Sequence, residues 1–355
     1  MRTTVGVLLD LETYLGIARG RTGNERLALY NKAGKMHGLR PFYMCLQHVK
    51  GKSALGYYYE NNTYRLVRRS IPRVTHNRAI SLSPYLRKKL KELSQSSIIF
   101  NRQNRYDKHR IHQLLYANHS LRKYLPDSFK YSREKLEDSM KKYSSLFIKP
   151  TNSSIGDGII KISKQEDGGW NLYWMKGKPK LVSKKQVISF IAKKVGKQNY
   201  MIQEAIQLAT YKERPYDLRV SVQRGGSGQW QVTGMIGKVA ASGRHVTNVA
   251  KGGKVKRCEK LFESSRFDST QMKQDLQQVS LAIAQYIGVK LPHMADIGLD
   301  VGVDQDGEIK LIEVNGRDQR YTFKKAGLDT TFYRTYETPM RYAKFLLNQS
   351  NSLHD

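Results

Sequence analysis

The chain is predicted to have an α/β (α+β) fold, with a small strand–helix–strand unit ahead of a larger region of paired strands. Three observations predict this. Residues 3–9, TTVGVLL, make an apolar run of strand length, residues 24–37 read as a helix, and Leu39–Leu46 reads as a second strand, the order of a β-α-β unit. Leu146-Phe147-Ile148 runs into a loop of small residues, Thr151–Gly158, and Ile159–Ser163 returns antiparallel. Near the other end, Ile297–Val303 and Ile309–Val314 flank Asp306-Gly307, a hairpin signal.

The remaining elements follow in order. Tyr57–Tyr59 and Tyr64–Val67 form a hairpin around Asn61-Asn62, Ile71-Pro72-Arg73-Val74 follows, and Ser97–Phe100 is a short strand. Ile111, Leu114, Leu115, Asn118 and Leu121 have helical spacing within Arg105–Leu125, which Pro126 ends. Gln186–Val195 reads as a helix and Tyr200–Ala205 as a strand. Val220–Gln223 and Trp230–Ile236 are further strands, and Leu276–Ile287 is a helix. No internal repeat and no low-complexity tract interrupts them.

At 355 residues the chain has length for two or three packed domains. Lys and Arg number 62 against 30 Asp and Glu, a formal net charge of +32. Such an excess attracts polyanions: nucleic acid, anionic envelope polymers, acidic peptides or nucleotide phosphates. A generally basic surface explains it equally well. The charge is spread along the chain, with short clusters such as Arg87-Lys88-Lys89, and no long basic arm marks a dedicated nucleic-acid binder. Two cysteines, Cys45 and Cys258, make neither a disulfide framework nor a zinc cluster, which points to a reducing, cytoplasmic setting. The N-terminal MRTTVGVLLDLETYLG reads as a strand and loop, not a signal peptide, and no run approaches the roughly 20 apolar residues that span a bilayer.

The strongest chemical signal is GLDVGVDQDGEIKLIEVNGR, residues 298–317. Strand alternation sends Glu313 and Asn315 to one face, and Asp300 on the paired strand can project beside them. Two carboxylates and an amide oxygen suit Mg²⁺, a hard ion that completes its shell with phosphate and water oxygens. The plainer reading is the polar face of an exposed hairpin. Leu311, Ile312 and Val314 make the strand apolar, so acidic residues within it favour the metal.

Other segments are weaker alone. Lys149-Pro150 precedes Asn152-Ser153-Ser154-Ile155-Gly156-Asp157-Gly158, whose backbone N–H groups suit phosphate, although an ordinary turn uses the same residues. It is not a Walker loop, because no Gly-Lys-Ser/Thr follows. Tyr200–Ile206 offers backbone groups to a base edge, or is a plain core strand. Asp217 and Arg219 share a strand face, either as an internal salt bridge or with Arg219 as an anion site. Lys238, Arg244, His245, Asn248 and Gly252-Gly253 belong to a polar stretch that can close over phosphates, with His245 a hydrogen-bonding loop residue.

In this order the segments resemble the ATP-grasp superfamily, and within it the YheC/YheD-like endospore coat-associated branch. The phrases carrying the resemblance are Phe147-Ile148-Lys149-Pro150, Gln203-Glu204-Ala205, Asp217-Leu218-Arg219-Val220, Gly298-Leu299-Asp300-Val301 and Glu313-Val314-Asn315-Gly316-Arg317. The resemblance implies an ATP-grasp fold over 105–350 behind a small α/β pre-ATP-grasp domain at 1–104. A lid subdomain would occupy about 130–205 and a C-terminal metal-binding subdomain about 206–350.

It further implies that Lys108 and Lys149 contact ATP phosphates, that Gly156 and Gly158 lie in a phosphate lid, and that Gln203, Glu204, Ala205 and Ile206 read adenine. Asp300, Glu313 and Asn315 would hold Mg²⁺, and Arg219, Lys238 and Arg317 would act on the transferred phosphate and the substrate. Lys238 stands where many members carry Arg, and Lys gives charge without the bidentate fork. Arg317 and Arg320 would hold an anionic substrate. The implied activity is ligation: a carboxylate is activated as an acylphosphate and attacked by an amine or another nucleophile, in a cytoplasmic or spore-associated setting. The rivals are a polyanion-binding protein and a spore-coat structural protein that keep the fold without catalysis.

Overall fold

The structure, a computed structural model, describes residues 2–153, 157–174, 178–243, 247, 249 and 252–351. It is built on three sheets. The first contains β1 (Thr3–Leu8), β2 (Leu39–Lys50), β3 (Ser53–Glu60), β4 (Thr63–Ser70), β5 (Val74–Asn77) and β6 (Ile98–Phe100), in the order β4-β3-β2-β1-β5-β6. Here β2, β1, β5 and β6 run parallel, while β3 and β4 return antiparallel. Helices α1 (Leu11–Leu15), α2 (Leu27–Met36) and α3 (Pro84–Leu93) connect the strands. The β1–α2–β2 opening is as the sequence predicts, and the parallel strands are correspondingly continuous in apolar residues. Asn61 and Asn62 both have positive φ, 48° and 59°, and form the two-residue turn between β3 and β4.

The predicted helix over Arg105–Leu125 is shorter. It is α4, Lys108–Tyr116, capped by the Asp107 carboxylate accepting from Arg110 N at 3.0 Å. The chain then re-enters as a 3-10 segment, His119–Tyr124, because the Asn118 side chain accepts from Ser120 N and competes with helix continuation.

The second sheet runs β11-β10-β9-β8-β12-β7. Its strands are β7 (Ser128–Lys130), β8 (Ser145–Pro150), β9 (Ile160–Lys164), β10 (Trp170–Trp174), β11 (Lys180–Val182) and β12 (Tyr200–Glu204). Helices α5 (Arg133–Lys142) and α6 (Lys184–Val195) cover it, burying Leu136, Val187 and Ile191 against Ile148, Ile160 and Ile202. Each such side chain contributes about 1.5–3 kcal/mol by leaving water.

The third sheet runs β16-β15-β14-β17-β18, with β13 (Thr210–Tyr211) paired to β14. Its members are β14 (Arg214–Arg224), β15 (Trp230–Val239), β16 (Lys254–Lys256), β17 (Asp296–Val303) and β18 (Ile309–Asn315). Helices α7 (Cys258–Ser264) and α8 (Ser269–Lys290) pack on one face through Leu261, Leu276 and Ile283. The turn between β17 and β18 is held by Asp304, whose Oδ1 accepts from the backbone of Asp306 and Glu308.

Beyond β18 come α9 (Tyr321–Lys325) and α10 (Asp329–Asn351). Helix α10 packs on α2, β5, β14 and β15, and Tyr336, Met340 and Leu347 share a core with Val5, Val7 and Tyr30. The first and third sheets are thereby joined by one continuous apolar contact.

Candidate active site

A cleft of about 1110 Å³ lies where loops from all three sheets meet, and it is lined by Lys108, Lys149, Gln203–Leu208, Arg219, Lys238, Asp300, Glu313, Asn315 and Arg317. Antiparallel register explains the assembly. In the third sheet Arg219 sits opposite Asp300, Asp217 opposite Lys238, and Asp300 opposite Glu313. In the second, Lys149 faces Met201 and Phe147 faces Gln203, which brings Lys149 and Gln203 to neighbouring positions on one face.

Asp300 is the hub. Its Oδ1 accepts from Arg219 Nε at 2.8 Å and Lys238 Nζ at 2.6 Å, and its Oδ2 accepts from Arg219 Nη2 at 3.0 Å and Asn315 Nδ2 at 3.1 Å. Four donors fill the lone-pair positions of a carboxylate. Burial works against the Asp300 charge, but Arg219 and Lys238 outweigh it and hold the carboxyl well below the usual range. Lys238 Nζ also lies 3.1 Å from Asp217 Oδ1. Burial, with Asp300 nearby, leaves Asp217 with a raised pKa despite that cation and the hydroxyl donated by Thr247. Burial would lower the Lys238 pKa, yet Asp217 and Asp300 together raise it. The Asp217–Arg219 salt bridge considered from the sequence is thus replaced by two cross-strand pairs, Asp217 with Lys238 and Arg219 with Asp300, and by Arg219 with Asp318 beyond β18.

Asp318 is a buried anchor for Arg219 that the sequence reading misses. Its carboxylate is fully buried, accepts from Arg219 Nη1 at 3.0 Å and takes the Ser221 hydroxyl. A Cβ at Gly298 would come within 2.5 Å of Asp318 Oδ1, so the glycine makes room for this anchor. The available signal is an acidic residue three positions after Asn315 in a chain poor in acids.

Glu313 is partly open to the cleft, and Lys108 Nζ approaches its Oε1 at 3.4 Å. Lys149 donates to Gln203 Oε1 at 2.5 Å, and Gln203 Nε2 donates to Ser128 Oγ at 3.0 Å. Burial and the nearby Lys108 push Lys149 down to about 8. The Glu204 side chain accepts from Asp127 N at 3.2 Å, and Ala205 N donates to Ser145 O at 3.1 Å, so that N–H is used within the fold. Gly158 has φ +75°, and a Cβ there would meet Pro150 at 2.8 Å. Gly156, Arg244, His245 and Asn248 lie outside the described residues.

Arg317 donates to Asp10 Oδ2 and to Arg78 O while lining the cleft. Arg320, expected to hold substrate, does not line it. It is 2% exposed, binds Asp296 and Tyr30, and joins a buried network with His76 and Arg78. Burial pushes His76 down to about 4 even beside Asp296, while Arg320 and Arg78 hold Asp296 ionised against its own burial.

The donor set of Asp300, Glu313 and Asn315 fits a hard divalent cation: two carboxylates and an amide on adjacent strands, facing a cleft with room for phosphate and water. A cation on Asp300 would replace one of its four present donors. Among the described residues no three His, Cys, Asp or Glu side chains gather as a metal site. No helix among the described residues is long and apolar enough to cross a membrane.

The three-sheet architecture is that of the ATP-grasp ligases. The chain is similar to D-cycloserine synthetase DcsG, with TM-score 0.58, 8% identity and coverage of 96% of this chain and 99% of that one. It is also similar to D-alanyl-alanine synthetase A from Vibrio cholerae, with TM-score 0.56, 15% identity and coverage of 100% and 99%. The chain belongs to the YheC/D like ATP-grasp family, whose model matches residues 97–346. Among curated proteins it is similar to the endospore coat-associated protein YheD of Bacillus subtilis, 26% identical over 251 residues, which are 68% of this chain and 54% of YheD. The chain therefore spans about half the length of that relative.

Proposed function

We propose that the protein is an ATP- and Mg²⁺-dependent ligase that activates a substrate carboxylate as an acylphosphate for attack by an amine or another nucleophile, in spore- or envelope-related metabolism. The observation that carries this reading is the convergence of Lys108, Lys149, Arg219 and Lys238 on the same cleft as the Asp300–Glu313–Asn315 oxygen set. In the reaction a carboxylate oxygen bonds to the γ-phosphorus, the bond to the β–γ bridging oxygen breaks, and its electron pair leaves with ADP. The amine then bonds to the acyl carbon, inorganic phosphate departs, and the nitrogen gives up a proton.

Mg²⁺, when bound by Asp300, Glu313 and Asn315, would neutralise phosphate charge. The chain's own groups meet the remaining charge, since phosphoryl transfer mainly needs spread negative charge to be positioned and compensated. Lys149 and Lys108 would bind ATP phosphates. Arg219, fixed by Asp300 and Asp318, would present a rigid guanidinium to the transferred group. Gln203 through Ile206 would border the adenine, and Arg317 would hold the substrate.

The test is ADP release with Mg²⁺ across amino acids, peptides and polyglutamate, with ATP binding measured in parallel. Wild type should bind ATP with Mg²⁺ dependence, and Glu313→Ala should lose that dependence. Absence of ATP binding by wild type refutes the ligase. The +32 charge and the coat-associated name of YheD would then favour a polyanion-binding or spore-coat structural protein.

A further inference from the structure

The cleft, at about 1110 Å³, slightly exceeds the roughly 300–1,000 Å³ of usual small-molecule pockets. Its charges are unevenly distributed. All four lining carboxylates, Glu204, Asp217, Asp300 and Glu313, stand on β12, β14, β17 and β18, among cations that include Lys108, Lys149, Arg219 and Lys238. One part of the lining, the loop before α2 and the segment after β18, contributes cations and no carboxylate. It presents Arg26, Arg317, Lys324 and Lys325, together with Tyr321 and Phe332.

Arg26 is built into place. Its backbone N–H donates to Tyr336 Oη at 3.2 Å, and that hydroxyl donates to Asn24 O at 3.2 Å. The neighbouring Glu25 carboxylate is turned inward, accepting from Arg78 Nη2 at 2.7 Å and Nε at 3.0 Å. The acidic residue of the loop is thus neutralised in the interior while Arg26 stays exposed at the cleft, with Gly23 O accepting from its Nη1 at 3.1 Å. Arg317 and Lys324 have carboxylate partners, Asp10 and Asp329, and Lys325 lies over the Tyr321 ring at 5.1 Å.

We propose that this part of the cleft takes an acidic peptide, an Asp- or Glu-rich chain of which one carboxylate is activated, with Arg26 as a specificity-determining residue. The proposal rests on the ligase reading. An activated carboxylate needs one cation, so the additional Arg26 and Lys325 imply further anionic groups on the same substrate. Tyr321, which also lines the cleft, offers apolar surface to the carbon stems of Glu side chains. A polyphosphate or an oligonucleotide would match the charge but offers no carboxylate to activate.

The experiment measures binding of a labelled octaglutamate to the full chain by fluorescence anisotropy without nucleotide, beside polyphosphate and an oligothymidylate of equal charge. Octaglutamate should bind more tightly than either, and affinity should fall as salt rises. Arg26→Ala should weaken octaglutamate binding roughly 10-fold, and Arg26→Glu up to roughly 100-fold, the range for a lost charged hydrogen bond. Charge reversal at Lys193, exposed on α6, should change it less than about twofold, since only remote screened charge is altered. Thermal unfolding verifies that each variant is folded.

Equal or tighter binding of polyphosphate or oligothymidylate overturns the proposal. So does octaglutamate binding that Arg26→Glu leaves unchanged. ATP binding in separate titrations distinguishes the two readings. Arg26-dependent peptide binding without any ATP binding refutes the ligase alone. ATP-dependent ADP release without an Arg26-dependent peptide preference refutes the acidic-peptide assignment alone.

Discussion

Replacing Lys238 by Met should expose how the charge cluster is balanced. Methionine keeps an unbranched chain of similar reach and removes the ammonium that lies 2.6 Å from Asp300 and 3.1 Å from Asp217. Asp300 keeps the bidentate Arg219, whereas Asp217, 4% exposed, keeps only the Thr247 hydroxyl among its described partners. Breaking a buried ion pair from one side costs about 3–5 kcal/mol. At roughly 2.1 cal/mol/K per residue over 355 residues, that is a fall in Tm of about 4–7 °C for cooperative unfolding of the whole chain.

The loss should depend on pH with a definite sign. Burial already raises the Asp217 pKa, and without Lys238 it rises further. A protonated Asp217 carries no buried charge, so the deficit is smaller at low pH. It grows as pH rises from the unfolded-state value of about 4 through the folded one. The assay is thermal unfolding of wild type, Lys238→Met, Asp217→Asn and the double variant at pH 5 and pH 8. The double variant should be more stable than the sum of the singles implies by about 1–3 kcal/mol, because the Asp217→Asn change removes the stranded charge. Additive losses, or a Lys238→Met deficit no larger at pH 8 than at pH 5, would refute the idea that Lys238 serves to neutralise Asp217.

Two further predictions test other parts of the molecule. Lys149, held at about 8, should take up a proton when a nucleotide phosphate binds at pH 8.5; calorimetry in buffers of different ionisation enthalpy should show that uptake, and Lys149→Arg should abolish it. Asn101, at φ +54°, donates to Asp296 O and Gly316 O and accepts from Ala295 N and Asp296 N; chemical denaturation should show Asn101→Ala to be destabilised by about 3 kcal/mol or more, from stranded buried groups and a left-handed backbone.

Much of the third sheet was legible because its chemistry follows a period of two. Asp217 and Arg219, or Glu313 and Asn315, share a face by alternation alone, and the Asp306-Gly307 turn sets β17 against β18. Lys149 and Gln203 required only that β8 and β12 pair. What stayed hidden depends on contacts between distant segments. Asp318 reaches Ser221 across 97 positions, and His76 reaches Asp296 across 220. Arg320 looked like a substrate cation because nothing local shows that Asp296 will meet it. The helix at 108–116 ends early for a local reason, the Asn118 side chain, which its helical spacing had masked. Helix α10 escaped notice because its stretch is polar on one side and contains Pro339.

The hydroxyl of Tyr336 that fixes Asn24 and Arg26 acts across 310 positions of the chain, and this gives biosynthesis an order. At about 5–20 residues per second, a ribosome that has made Arg78 needs roughly 13–50 s more to reach Tyr336. Through that interval Glu25 can find Arg78, yet the loop still lacks its second fastening. The mouth of the cleft is therefore finished only after every strand behind it exists. A nascent chain lacking α10 would carry the acid–base hub on a complete third sheet with an unset entrance. Completion of α10 thus sets when this wall of the cleft is first fastened.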